Sequence, residues 1–533
     1  MSIARNADTS HVETLSALCL FSASKYSKKT AFSMCSEGKI VRKINYAQMG
    51  KNALRIASIL RQLGVKKDDK VLLLSDNCPE WPLAYFGIAL AGAVSVPLLT
   101  GFSIEQIEHI TKHSGAKAVC ISAAMAEKFR INLPFICIDN IADIDNISHN
   151  DDITEDTYEK RQPEDLATII YTSGTQGNSK GVMLSNKNLL SCVLSSYSYF
   201  PLKSSDAFLS VLPLAHSYEC SIGFLFPVIG GAEITYIDRP PSPSVMLPAL
   251  KVVRPTIMLT VPLLIEKIYN NAIAPKLNKK ILLKFPVMRN LAVLIAGLKL
   301  KKTFGGRLRF YGIGGAPLSE HVLEFLTSAK FPYALGYGLT ETAPFLAGNS
   351  PFYNYRGGGI WPPENVKLRI EKNPELKNDE GEIQVQGPNV MLGYYDDEEK
   401  TSEVFTKDGW FRTGDLGNFD SEGRLFIRGR LKAMILGPSG ENIYPEEIEG
   451  LLGASSLVEE SLVYSGKKGE IVALVRLSEA AKMAAGVIEK SLEDLRAYVN
   501  TKLSGFSRIS KIVIKPDPFE KTPTMKIKRY LYV

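Results

Sequence analysis

Residues Thr172–Gly181 read TSGTQGNSKG, directly after the apolar run LATII at Leu166 to Ile170. A short apolar run of this length reads as a buried strand, and the decapeptide after it as a loop of hydroxyls, glycines and one lysine. The loop is not a Walker A sequence, which would need glycine where Ser179 stands. Its ingredients nevertheless suit a polyphosphate. Glycines let backbone N–H groups turn inward, hydroxyls donate hydrogen bonds, and Lys180 supplies a point charge. Taken alone, the decapeptide reads equally well as a solvated surface loop.

The flanking sequence has an alternating texture. KVLLLS (70–75) is a continuous apolar strand, EWPLAYFGIALAGA (80–93) has helical spacing, and VSVPLL (94–99) is strand-like again. IEQIEHITKHSG (104–115) reads as a helix closed by glycine, followed by the strand KAVCIS. The pattern recurs in AFLSVLP (207–213), EITYI (233–237), TIMLTVP (256–262) and LRFYGIGG (308–315). Such alternation predicts βαβ units and parallel sheets covered on both faces, with ligands near the carboxyl ends of the strands. LPLAHSYE, GIGGAPLS and GYGLTETAP also come after strand-like runs.

After about Pro363 the texture changes to KLRIEK, GEIQVQG and GRLFIRG, short alternating strands with glycine turns. Beyond Arg430 the pattern reads helix, strand, strand, helix, strand. The expected class is therefore α/β. A large N-terminal domain of parallel α/β sheets, 1–430, would include a small β-rich subdomain at about 363–430. A small mobile α+β domain would occupy 431–533.

Composition removes several alternatives. The chain has 533 residues, too many for one core. Its net charge of +7 does not imply nucleic acid at this length. The charge is uneven: from Lys276 to Ser319 there are seven lysines and three arginines and no acid. Seven scattered cysteines without a CxxC pair indicate neither a disulfide framework nor a cysteine zinc site. The opening residues lack a basic region followed by a long apolar run, and no apolar run reaches bilayer length. A cytosolic protein is expected, with peripheral contact to an anionic membrane through Lys276–Lys302 as an added reading.

Six segments, in order, resemble the adenylate-forming superfamily of acyl-CoA synthetases, luciferases and peptide-synthetase adenylation domains. They are YTSGTQGNSKGVMLSN, LPLAHSYE, GYGLTETAP, GWFRTGDLG, GRLKAMI…GENIYPEEIE and KTPTMKIKR. The resemblance covers nearly the whole chain and is nearest to long-chain fatty acyl-CoA synthetases. Gln176 and Asn178-Ser179 depart from the usual phosphate loop, and Met525 stands where glycine precedes the terminal lysine in much of the superfamily.

The resemblance implies ATP-dependent activation of an acid as acyl-AMP, release of pyrophosphate and thioester formation with CoA. Mg²⁺ would be the metal, and a fatty acid the substrate. Thr172, Ser173, Gly174, Thr175, Gly177 and Lys180 would hold the phosphates. Gly315, Ala316, Gly336, Tyr337, Gly338 and Thr340 would line the nucleotide site, with an exposed face of Tyr337 for adenine. Glu341 and Thr175 would serve the metal. Asp415 would accept from both ribose hydroxyls, with Arg430 beside ribose or phosphate. Lys526 would bridge the carboxylate and the α-phosphate, and His216 would line the acyl-carboxylate site, with Glu219 helping to orient its loop. Lys432 falls where the family has its hinge.

No aspartate lies between Asp206 and Asp238 to hold a substrate ammonium, which argues against an α-amino acid. The apolar run SIGFLFPVIGG suggests an alkyl tunnel. Two alternatives remain: a carrier-protein thiol in place of CoA, and a non-catalytic nucleotide- or acyl-binding regulator.

Overall fold

The computed structural model describes residues 9, 11–143, 154, 156–172, 179–277, 286–351, 358–372, 380–436, 442–466, 469–478, 481, 485–522 and 526–532. Two large sheets carry the first four hundred residues.

The eight-stranded sheet runs in the order Phe345–Gly348, Tyr333–Gly338, Phe310–Gly314, Ile257–Thr260, Ala207–Leu209, Glu233–Ile237, Thr30–Ser36, Lys39–Asn45. Its interior pairs are parallel, and the two outermost pairs are antiparallel. The seven-stranded sheet runs Gly393–Tyr394, Lys180–Ser185, Leu166–Thr172, Val94–Leu98, Lys70–Leu74, Ala118–Ile121, Phe135–Cys137. Here too the interior is parallel and one edge antiparallel.

The glycine-rich decapeptide therefore joins two antiparallel neighbours, Leu166–Thr172 and Lys180–Ser185, as a hairpin and not as a crossover into a helix. Alternating apolar runs made the strand before it legible. They do not specify the direction of the strand after it.

One core spans both sheets. Phe208, Ile234 and Tyr236 of the first share it with Val71, Ile170 and Val182 of the second. The helix Glu80–Leu90 is buried nearly all round, as its apolar composition after Glu80 requires, and Glu80 itself is paired with Arg42 at 2.6 Å. Trp81 stacks on Tyr85 at 5.2 Å, and Phe224 meets Trp81, Tyr85 and Phe86 edge-on or tilted at 5.0–6.0 Å. Each such side chain buried contributes about 1.5–3 kcal/mol.

The helix Ile104–Ser114 starts on a capping box at Ser103 and stops at Gly115, whose φ of +63° favours glycine. The expected β-rich segment is one antiparallel sheet of Lys367–Lys372, Gly381–Gln386, Phe411–Phe419 and Leu425–Arg430. Beyond it, helices Pro445–Gly453 and Ala485–Asn500 accompany a three-stranded sheet of Val458–Ser465, Ile471–Leu477 and Ile509–Ile514 with its own core.

Candidate active site

Among the described residues, Tyr444 of the C-terminal segment donates to Glu380 Oε2, beside the β-rich sheet, at 2.5 Å, and Asn270 donates to the Gly453 carbonyl at 3.1 Å. Arg428 of the β-rich sheet holds the other oxygen of Glu380 at 3.2 Å. Lys526 lies on the last stretch of this segment. Its backbone accepts from Thr522 N–H at 2.8 Å, and its own N–H donates to the Thr522 hydroxyl at 3.2 Å. Ion pairs of Lys521 with Glu460 and of Arg529 with Glu449 pin the chain on either side.

Arg430, Asp415 and Glu341 lie close enough to act electrostatically on Lys526. Crowding by the cleft walls lowers its pKa first, Arg430 lowers it further, and Asp415 and Glu341 oppose them. By surface area the side chain is exposed, as expected at an open-mouthed cleft.

Asp415 is 4% exposed, in the middle of the strand Phe411–Phe419. Arg430 Nε lies 2.7 Å from its Oδ1, and the Tyr337 hydroxyl donates to its Oδ2 at 2.8 Å. Burial raises its pKa, against the pull of Arg430 and Tyr337. Each oxygen keeps a free lone pair, enough for two ribose hydroxyls. Tyr337 is half-buried with its hydroxyl committed to Asp415, so the expected exposed face is only partly open. Gly338, on the same strand, admits no side chain: a Cβ would come 1.7 Å from the Pro344 carbonyl. Gly315 and Ala316 are exposed just past the strand Phe310–Gly314, with Gly315 at φ +84°.

Glu341 sits in the short helical turn Thr340–Thr342. Tyr394 donates to its Oε1 at 3.0 Å, and Lys180 Nζ lies 4.7 Å over the Tyr394 ring. Tyr394 thus links the end of the glycine-rich loop to the metal-ligand candidate. Sequence reading missed it, although the tyrosine pair after glycine in LGYYDD was the available signal. Thr340 lies 3.3 Å from Ser217 across the cleft. Thr172 ends the strand Leu166–Thr172. Ser173, Gly174, Thr175 and Gly177 lie outside the described residues. Lys432 is exposed in the turn Leu431–Ala433.

His216 is half-buried, and its Nδ1 accepts from the Tyr218 N–H at 3.2 Å. Burial and then the nearby Lys526 push its pKa down to about 4. The ring is therefore neutral at neutral pH, and with Nδ1 accepting, Nε2 carries the proton. Behind it, Glu219 opens a π-helical stretch, Glu219–Leu225, a distortion often found at functional sites. Its Oε1 accepts from Ser210 at 2.5 Å, and Ser210 accepts from Asn77 at 3.2 Å. Asn77 also accepts the Leu214 N–H at 2.8 Å, closing a network under the His216 loop.

Only part of SIGFLFPVIGG faces free space. Ile222 and Phe226, one helical turn apart, line an apolar cavity of about 50 Å³ with Tyr199, Phe200, Tyr218 and Gly312. Phe224, Leu225, Val228 and Ile229 are core. The tunnel expectation is corrected accordingly: the segment is helical, so a single face, not the whole run, meets the cavity. Ala334, Leu335 and Gly336 complete the wall, and the next residue on that strand is Tyr337.

Among the described residues no cluster of three His, Cys, Asp or Glu could hold a metal. A single carboxylate with phosphates and water suits Mg²⁺, and Glu341 is the candidate for that carboxylate. No described helix is long and apolar enough to cross a membrane.

The fold and cleft define an adenylate-forming enzyme. The chain belongs to the AMP-binding enzyme family, whose model matches residues 21–395, with the AMP-binding enzyme C-terminal domain matching 433–532. It is 30% identical to Long-chain-fatty-acid--CoA ligase FadD15 of Mycobacterium bovis, over 90% of this chain and 88% of the relative. It is 28% identical to Long-chain-fatty-acid--[acyl-carrier-protein] ligase AEE15, chloroplastic, of Arabidopsis thaliana, over 92% of this chain and 81% of the relative. O-succinylbenzoate Coenzyme A Synthetase from Bacillus subtilis, solved in complex with ATP and magnesium ion, superposes with a TM-score of 0.77. That comparison covers 96% of this chain and 98% of the other at 24% identity, a likeness of fold.

Proposed function

We propose that the chain is a long-chain fatty acid–CoA ligase that forms acyl-AMP from ATP and then the thioester. The observation that carries this is Lys526, a residue of the C-terminal segment, in one electrostatic neighbourhood with Asp415, Glu341 and His216.

One carboxylate oxygen bonds to the α-phosphorus as the bond to the bridging oxygen breaks and pyrophosphate leaves. Two anions must meet, so fixed positive charge lowers the barrier. Lys526 bridges the carboxylate and the α-phosphate, and Arg430 adds charge at the ribose side. Asp415 holds the ribose hydroxyls, and Tyr337 with Gly336, Gly338, Thr340, Gly315 and Ala316 borders the base. Lys180, with Thr172, Ser173, Gly174, Thr175 and Gly177, holds the β- and γ-phosphates. Bound Mg²⁺, on Glu341 and Thr175, would neutralise phosphate charge. The neutral His216 donates from Nε2 to a carboxylate oxygen. In the second step the CoA sulfur, its thiol proton lost to solvent, bonds to the acyl carbon as the bond from that carbon to the phosphate oxygen breaks, and AMP departs with the electron pair.

The units are 1–430 and 431–533, and rotation at Lys432 withdraws Lys526 between the half-reactions. The apolar lining of the small cavity beside Tyr337 suits the first carbons of an alkyl tail, and the name of the mycobacterial relative favours a long one. The work is cytosolic, with the acid taken from a lipid surface. A carrier-protein thiol as acceptor is the second reading, favoured by the Arabidopsis relative's name.

Purified protein incubated with ATP, Mg²⁺, acids from acetate to long-chain and aryl, and either CoA or acyl carrier protein tests both readings. Thioester with a long acid and CoA is expected. Thioester restricted to short or aryl acids refutes the chain-length assignment, and thioester on the carrier protein alone refutes CoA.

A further inference from the structure

The helix Pro286–Thr303 turns Val293, Gly297 and Leu300 inward. Gly297 packs so tightly that a Cβ would come 2.5 Å from the Ala329 carbonyl. The opposite face carries Val287, Leu291, Ile295 and Leu298 at 81%, 58%, 43% and 70% exposure. Their spacing of four, four and three residues places them on one stripe. A helix on the surface of a globular unit ordinarily turns polar residues outward. Here both faces are apolar. The adjoining helix Pro243–Val253 adds exposed Leu247 and Val252.

The charge around the stripe has one sign. Arg289, Lys299, Lys301 and Lys302 lie on the helix itself, Lys251 on its neighbour, and no acid occurs from Lys276 to Ser319. Glu324, on the packed helix Glu320–Ser328, opposes Arg289 in its effect on Tyr269, whose ring packs against the core beneath.

We propose that this helix is a docking surface for an anionic lipid bilayer, lying in the interface plane. The stripe enters the acyl boundary, while the lysines extend along it and hold phosphate headgroups. A protein partner would need an acidic rim around an apolar groove. A bilayer of anionic lipid supplies both features at once, over any area.

The inference rests on the proposed fatty acid substrate only for its purpose, and the test separates the two. Full-length protein is co-sedimented with vesicles of phosphatidylcholine, or of phosphatidylcholine mixed with phosphatidylglycerol. Binding is expected to the mixed vesicles only. Raising salt from about 0.1 M to about 1 M, which shortens screening from roughly 10 Å to 3 Å, should release it.

Lys299→Ala, Lys301→Ala and Lys302→Ala should each weaken binding roughly fivefold. Leu291→Ser with Leu298→Ser should abolish it, and because both sites are exposed the fold should tolerate the change. Pyrophosphate exchange with a dissolved long-chain fatty acid, in the absence of vesicles, should stay at the parent rate in all of these variants. Loss of exchange in the unmodified protein with vesicle binding intact would refute the enzymatic reading and not this one. Absence of vesicle binding, equal binding to neutral vesicles, or binding unchanged in the leucine variant would overturn the proposal. So would sedimentation velocity showing that the leucines instead hold two copies of the chain together.

Discussion

Replacing Glu219 with glutamine should improve stability relative to the parent as pH rises, with the gain appearing toward alkaline pH. The carboxyl is 1% exposed. Its Oε1 meets Ser210, while its Oε2 has no hydrogen-bond partner among the described residues. Gly223 leaves the space it occupies, since a Cβ there would come 2.4 Å from the carboxyl carbon. Burial pushes its pKa from an ordinary 4.5 up to about 8, with the Ser210 bond opposing.

The unfolded chain therefore loses this proton near 4.5, while the native protein keeps it until about 8. In that window the native state binds more protons, so stability falls as pH rises, by up to about 1.4 kcal/mol per pH unit. The full cost above the folded pKa is on the order of 5 kcal/mol, and relaxation of the surroundings makes the realised value smaller. Glutamine has nearly the same shape and no charge in either state, so it removes this slope.

Urea midpoints of both proteins, followed by tryptophan fluorescence between about pH 5 and about pH 8, give the difference directly. The variant should equal or trail the parent at the acid end and lead it by a few kcal/mol at the alkaline end. A difference that stays constant with pH would refute the reasoning, because Glu219 would then be ionised and paired in the native state.

Lys526→Ala should reduce pyrophosphate exchange by about 10²- to 10³-fold, while thioester formation from supplied acyl-adenylate keeps its rate; equal losses in both steps would refute the role. Tyr337→Phe removes a donor to the buried Asp415 and should raise KM for ATP about tenfold, with KM for the acid unmoved. Ala334→Leu projects into the cavity wall and should shift the acid preference toward shorter chains in a competition assay; an unaltered preference would place the tail elsewhere.

Much of the fold was legible because hydrophobic periodicity reports local conformation. The runs at 70–75, 94–99, 233–237 and 308–315 became strands within a few residues of their expected ends. Capping chemistry is equally local, as Ser103 and Gly115 illustrate. The candidate site was legible where short motifs carry their residues close together, as with Thr340 and Glu341.

Sequence alone thus determined the α/β class, the order of the elements and the chemical types gathered at the strand ends. It also determined the acid-free basic segment at 276–319. Tertiary structure decided which distant groups meet. Tyr394 reaches Glu341 across 53 positions, and Asn77 reaches Ser210 across 133. It decided that the strands on either side of the decapeptide pair antiparallel, that one face of 219–229 borders the cavity, and that the apolar stripe of 286–303 points outward. Those outcomes depend on how sheets and helices stack in three dimensions. Periodicity marks a face as apolar, but only packing selects which apolar face is covered.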